Sequence, residues 1–191
     1  MGTALNIGDV GKGTKLIFDN APWLVLEVNF VKPGKGNAFY KMRVQNLLTG
    51  NTLEKTLRGG EKVEGADVTD AEMQYMYFNA SGFIFMDQTS YEQVTVSAKA
   101  VGDDKDFLLE NMNVMVTLWN GEPIALRLPN TVTMEVDYTE PAIKGDTQSR
   151  VMKPAKLKGT GATVPVPIFV AIGDRITVNT QTREYSGRVT K

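Results

Sequence analysis

The chain of 191 residues contains neither cysteine nor histidine. Without cysteine there are no disulfides, no thiolate nucleophile and no cysteine zinc site. Without histidine there is no Ser-His-Asp or Cys-His machinery, and the commonest transition-metal ligand is missing. No stretch approaches the ~18 apolar residues of a membrane-crossing helix. The start, Met1-Gly2-Thr3-Ala4-Leu5-Asn6-Ile7-Gly8-Asp9, has neither the basic opening nor the apolar core of a signal peptide. The phosphate-binding loops also fail. Gly11-Lys12-Gly13-Thr14 lacks the glycine-x4-glycine-lysine order, and no Gly-x-Gly-x-x-Gly is completed. These absences lead to the expectation of a cytoplasmic protein with no membrane partner, no cofactor or metal, and no enzymatic activity.

What is present is folded and unevenly charged. A hydrophobic content of 42% and a charged content of 23% exclude wholesale disorder. The formal net charge of -1 hides three blocks. Residues 1–65 hold nine Lys/Arg against six Asp/Glu (+3), residues 66–129 hold three against ten (-7), and residues 130–191 hold nine against six (+3). Two basic ends flanking an acidic middle suit a protein that touches RNA at both ends. Chance segregation of surface charges would give the same pattern.

Strand signals run from end to end. In residues 1–65 they are Lys15–Phe18, Trp23–Val31, Ala38–Leu48 and Thr52–Leu57, parted by turn residues. Tyr40, Met42 and Val44 alternate with Lys41, Arg43 and Gln45, so one face packs and the other is wet. The polar, glycine-rich Gly59–Gly65 reads as a first boundary. Residues 66–129 offer strands at Met73–Phe78, Phe83–Met86, Gln93–Val96 and Val114–Trp119, and Asn120-Gly121 predicts a type I′ turn before Pro123–Leu128. A helical turn is expected over Ser97–Gly102 and a short helix over Asp104–Asn111. In residues 130–191, Val132, Met134, Val136 and Tyr138 are expected to face inward. Further strands are expected at Thr163–Val166, Ile168–Ile172, Arg175–Asn179 and Tyr185–Val189, with a long polar loop over Lys144–Lys153. The last two blocks read as the same five-stranded barrel twice.

One loop stands apart. Lys32-Pro33-Gly34-Lys35-Gly36-Asn37 separates two strong strand runs. Pro33 presets φ, and the glycines permit the reversal while clearing bulk from beside Lys35. The product is an uncrowded amine at a hairpin tip. On its own, Pro-Gly-x-Gly is ordinary turn chemistry and its lysine merely solvated.

Several motifs in shared order change that. They are Val31-Lys32-Pro33-Gly34-Lys35-Gly36 with Ala38-Phe39, then Leu48-Thr49-Gly50 with Glu54-Lys55-Thr56, Glu64-Gly65-Ala66-Asp67-Val68, and Val116-Thr117-Leu118-Trp119-Asn120-Gly121. Lys144-Gly145-Asp146-Thr147, Lys153-Pro154-Ala155 and Glu184-Tyr185-Ser186-Gly187-Arg188-Val189 follow. Together they cover almost the whole chain, which resembles the bacterial translation elongation factor P family. The resemblance implies an all-β architecture of three small barrels in an elongated L, an N-terminal SH3-like, KOW-type barrel (1–65) followed by two OB-fold barrels (66–129 and 130–191). It implies a monomer that binds the ribosome and ribosomal RNA beside the peptidyl-tRNA and relieves stalls at consecutive prolines. Lys35 would meet the CCA end of that tRNA and would be the target of a lysine-modifying enzyme. Gly145, Asp146 and Thr147 would lie near messenger RNA, and Tyr185 and Arg188 match family positions that touch ribosome or tRNA. Here the chain departs from the family pattern: Gln148-Ser149-Arg150 replaces further glycines after Thr147 and adds a cation at Arg150.

Other residues invite plainer readings. Trp23 and Trp119 sit in apolar strand runs and suit packing. Asp103, Asp104 and Asp106 suit a helix start better than a metal. Two alternatives stay open at this point, a paralogue of the same family with another ribosomal task and a generic single-stranded RNA binder built of OB barrels.

Overall fold

A computed structural model describes residues 3–141 and 151–189 of the chain. The fold is all-β and builds three antiparallel sheets, each curled around its own core. Among the described residues no helix is long and apolar enough to cross a membrane.

The first sheet holds β1 (Ala4–Asn6), β2 (Lys15–Phe18), β3 (Ala21–Val31), β4 (Phe39–Asn46), β5 (Thr52–Arg58) and β6 (Lys62–Gly65), in the order β1-β6-β2-β3-β4-β5. Ile7, Leu16, Trp23, Val25, Met42 and Val44 fill its core. Burying each of these side chains contributes about 1.5–3 kcal/mol. The expected alternation holds in β4, where Met42 and Val44 are buried while Lys41 and Arg43 are exposed. Trp23 is buried and its indole N–H donates to the Phe18 carbonyl at 3.0 Å. The segment read as a first boundary, Gly59–Gly65, is structural at its end: β6 pairs with both β1 and β2. Its polarity arises because Lys62 and Glu64 face water while Val63 alone points inward.

The second sheet holds β7 (Val68–Asn79), β8 (Gly82–Asp87), β9 (Gln93–Val96), β10 (Asn113–Trp119) and β11 (Glu122–Arg127), in the order β11-β10-β7-β8-β9. Asn120 (φ 51°) and Gly121 (φ 83°) both take the left-handed conformation that a type I′ hairpin requires. Between β9 and β10 lie α1 (Ala98–Val101), capped by the Ser97 hydroxyl, and a 3₁₀ segment over Gly102–Phe107. The expected helix over Asp104–Asn111 is thus shorter, tighter and earlier. Leu108 and Asn111 leave helical geometry, Asn111 at φ 65°. Trp119 is only partly buried, with its indole nitrogen enclosed and unpartnered among the described residues.

The third sheet holds β12 (Thr131–Thr139), β13 (Met152–Leu157), β14 (Thr163–Pro167), β15 (Arg175–Asn179) and β16 (Glu184–Arg188), in the order β14-β13-β12-β15-β16. It repeats the second sheet's plan. In each, the first strand lies at the centre, with two strands on either side, and carries a bulge, at Tyr75/Tyr77 in β7 and at Val136/Tyr138 in β12.

Three expectations for this sheet are corrected. Tyr138 was expected inside. The β12 bulge shifts the alternation, so Tyr138 is exposed and Thr139 is buried, its hydroxyl donating to the Pro154 carbonyl at 2.9 Å. Ile168–Ile172 is a turn and not a strand. It follows Pro167 and ends at Gly173 (φ 83°), and the Ala171 N–H is taken by the Asp174 carboxylate rather than by a neighbouring strand. The end of the expected polar loop is strand: Met152 and Lys153 begin β13, which pairs with both β12 and β14.

By packing, the chain forms two compact units. One comprises Met1–Ala71 with Val116–Ala125, and the other Glu72–Met115 with Leu126–Lys191. Within the first, the Lys15 ammonium donates to the Val68 carbonyl (3.4 Å) and lies 3.8 Å from Asp70, whose carboxylate also accepts the Thr117 hydroxyl at 2.6 Å.

Candidate nucleic-acid interface

The tip loop is aimed by its two strands. β3 and β4 are paired from Trp23↔Asn46 to Val31↔Phe39, so residues 32–38 project beyond the last pair. The base of the loop is tied to its neighbour, since the Gly59 N–H donates to the Ala38 carbonyl at 2.7 Å. A side chain at Gly59 would crowd that carbonyl at 3.1 Å. Beyond the tie the loop stands clear. Lys32, Gly34, Lys35, Gly36 and Asn37 are exposed, and Pro33 is half-buried. A Cβ added at Gly34 would meet nothing within 4 Å. Gly36 sits at φ 128°, a conformation open to glycine and strained for other residues. Among the described residues, Lys35 takes part in no hydrogen bond or ion pair, so its three donors face outward.

The arm's electrostatics are one-sided. From Val28 to Leu53 the chain has no Asp or Glu, yet it carries Lys32, Lys35, Lys41 and Arg43. Across the sheet, Arg58 stands opposite Phe39 and adds a fifth cation near the tip. Along β3–β5 acid returns lower on the arm, where Arg43 is flanked by Glu27 on β3 and Glu54 on β5, while Glu61 closes the turn that follows Arg58. The cationic character therefore concentrates at the tip end. Sequence reading picked out Lys41 and Arg43 together. Strand register separates them and brings in Arg58, for which the missing signal was the pairing of β4 with β5. The acid-free run itself was visible in the sequence.

Phe30 lies one pair below the loop and is 55% exposed, its ring 4.9 Å from that of its cross-strand partner Tyr40. An exposed phenylalanine so near a cationic tip is a second feature that sequence reading left out.

The C-terminal positions present a different surface. Tyr185 on β16 packs edge-on against Phe169 at 6.5 Å, beside a cavity of about 550 Å³ walled by Tyr138, Thr139, Lys153, Phe169 and Ile172. Arg188 is held by Asp174 at 3.5 Å. Gly145, Asp146, Thr147 and Arg150 lie outside the described residues. The acids at 103–106 serve as an internal anchor. Arg183 pairs with the Asp106 carboxylate, donates to the Asp103 carbonyl at 3.3 Å and covers the Phe107 ring at 4.9 Å. Burial pushes the Asp104 carboxyl above its ordinary range; Arg183 pulls it back and Asp103 adds to the rise.

The comparisons agree with one another. Residues 6–63 match the family profile described as Elongation factor P (EF-P) KOW-like domain, residues 68–126 the Elongation factor P (EF-P) OB domain, and residues 132–188 Elongation factor P, C-terminal. Elongation factor P of Synechococcus sp. (strain JA-2-3B'a(2-13)) is 44% identical over 184 residues, spanning 96% of this chain and 99% of that one. Elongation factor P of Prochlorococcus marinus (strain NATL2A) is 42% identical over 187 residues, 98% of this chain and 100% of that one. Among solved structures, eukaryotic translation initiation factor 5A from Methanococcus jannaschii superimposes with a TM-score of 0.55 at 19% identity. That match spans 66% of this chain and 94% of that one, and it is a likeness of fold alone. With all three sheets matched in order and near-complete relatives above 40% identity, this chain belongs to the elongation factor P family of translation factors.

Proposed function

We propose that this elongation factor binds the ribosome next to the peptidyl-tRNA and promotes peptide-bond formation at consecutive prolines by positioning the CCA end of the P-site tRNA with Lys35. The observation that carries this reading is the outward-facing amine of Lys35, held beyond the last β3–β4 pair and without an internal partner among the described residues. A lysine ammonium is a compact cation with three rotatable donors, suited to phosphate and sugar oxygens that carry no sequence information. Proline is a slow partner in peptide transfer, and a misplaced tRNA end makes it slower. Holding that end lowers the barrier through geometry, and an error of 1 Å can cost about 100-fold. In this reading the protein is not an enzyme. It supplies placement and charge while the ribosome performs the chemistry.

The partners follow from the same reading. Lys32, Pro33, Gly34, Gly36 and Asn37 present Lys35 to the tRNA and to a modifying enzyme that lengthens its side chain. Ribosomal RNA meets the cationic arm. Tyr185 and Arg188, together with Gly145, Asp146, Thr147 and Arg150, face messenger RNA or ribosome. The protein works as a cytoplasmic monomer. Exchanging Lys35 for Ala is expected to abolish the help given on proline runs while ribosome binding stays within about threefold, as loss of one phosphate contact among many allows. Peptide synthesis and ribosome binding measured on the same preparation check this. Equal loss of both would refute the division between docking and positioning.

A further inference from the structure

The Phe30–Tyr40 pair lies on the inner face of the β3–β4 arm. Phe30, Tyr40, Met42 and Leu57 share that face, because cross-strand partners point the same way. Met42 is buried in the barrel core, Tyr40 and Leu57 pack partly against it, and Phe30 lies beyond its rim. The row of apolar side chains thus continues out of the core toward the tip and ends on a ring open to solvent. Tyr40 supports that ring from beneath at 4.9 Å with a 47° tilt. Such a ring gains by burial, and this fold leaves it more than half exposed.

Charge decides between possible occupants. The segment carrying Phe30 runs from Val28 to Leu53 without an acidic residue; of its four cations, Lys41 and Arg43 lie on the opposite face, and Lys32 and Lys35 stand in the loop just beyond the ring. A protein partner would need an acidic face to match. A single strand of nucleic acid brings phosphates for the lysines and flat, unpaired bases for the ring.

We propose that Phe30, braced by Tyr40, is a stacking platform for an unpaired base in the 3′-terminal single strand of the tRNA whose end Lys35 holds. The proposal rests on the positioning function above and adds a second point of contact. Lys35 fixes the backbone of the strand by charge, and Phe30 fixes the plane of a base. One flexible cation leaves the strand free to rotate; a ring about two residues below the loop removes that freedom.

The test uses full-length protein from its native source, carrying whatever group Lys35 bears there, and ribosomes stalled on two consecutive prolines. The variants are F30L, F30Y and F30W, with K35A alongside. F30L keeps apolar bulk against Tyr40 and removes the stacking face. Base–aromatic stacking is worth about 1–3 kcal/mol, so F30L is expected to lower the rate of synthesis by about 5- to 150-fold. F30Y and F30W are expected to stay within about threefold of the parent. Ribosome binding and melting temperature are expected to be the same for all three, and the F30W emission is expected to be quenched when tRNA-bearing ribosomes are added.

Several outcomes overturn the proposal. One is F30L matching the parent; another is F30Y and F30W failing along with F30L, which would assign Phe30 to packing. A third is loss in F30L accompanied by a missing mass increment on the Lys35 peptide that the parent carries, which would place the modifying enzyme on this face instead. K35A separates the two levels. If K35A is inactive and F30L active, stacking alone fails. If K35A is fully active, the positioning function fails and stacking falls with it.

Discussion

Two cations define the contrast in this molecule. Lys35 stands at the end of the first barrel's longest hairpin with no internal partner among the described residues, while Arg183, in the turn between β15 and β16, has its donors engaged. Arg183 binds Asp106, the Asp103 carbonyl and the face of Phe107, and does so from a left-handed backbone conformation (φ 60°). Around Lys35 the chain has removed bulk and acid; around Arg183 it has gathered both. A charge committed to its own fold gives stability and little recognition, and a charge kept outside the fold does the reverse. The acidic 66–129 block divides in the same way. Part of its charge is engaged internally, Asp70 with Lys15 and Thr117, Asp106 with Arg183.

The contrast can be broken most directly at Arg183. Arg183→Ala should destabilise the unit containing Asp106 by about 1–2 kcal/mol, since a charge-assisted hydrogen bond and a ring contact are lost at a half-exposed site. Calorimetry should show that transition melting several degrees earlier. No change would mean that Arg183 is as uncommitted as Lys35. Gly36→Ala comes next. At φ 128° an alanine is strained, at a cost of about 1 kcal/mol or more, and the loop can escape by refolding because it stands clear beyond the tie at Ala38. The expected result is a small loss of stability and a much larger loss of activity on proline runs.

A third effect is smaller and depends on pH. Asp104 is raised above the ordinary carboxylate range, chiefly by burial, so its charged form opposes folding. The folded state then binds its proton more tightly than the unfolded state. Stability from this group falls as pH rises from the ordinary aspartate range through the raised value, and it returns on acidification. Asp104→Asn should raise the melting temperature at neutral pH and flatten the profile in that window. An unchanged profile would remove Asp104 from the account. Least of all, Lys35→Ala should shift the melting temperature by less than about 1 °C, as expected for a surface residue away from any packed feature. A shift as large as that of Arg183→Ala would erase the comparison.

The tip was legible before the structure because its signals are local. Pro33, Gly34 and Gly36 specify the turn within a few residues, and the flanking runs announce strands by alternation. Tyr40, Met42 and Val44 kept their expected face for the same reason. Phe30 escaped notice because alternation alone marks it as one more inward residue. Only the point at which the core ends shows that it overhangs. Arg58 escaped because its place near the tip comes from pairing with Phe39, nineteen residues earlier. Ile168–Ile172 misled because an apolar run has the composition of a strand whether or not a neighbour is present to pair with it.

The amino-acid order alone settled whatever depends on a few adjacent residues: the β character, the type I′ turn at Asn120-Gly121, the unobstructed lysine and the three charge blocks. It also placed Val132, Met134 and Val136 inside. Tertiary structure decided which way Tyr138 points, that Met152–Leu157 is a strand, and that Arg183 closes on Asp106. The side-chain period of two is set by the backbone of each residue, but a bulge that resets it, or a partner 77 positions away, is chosen by the sheet as a whole.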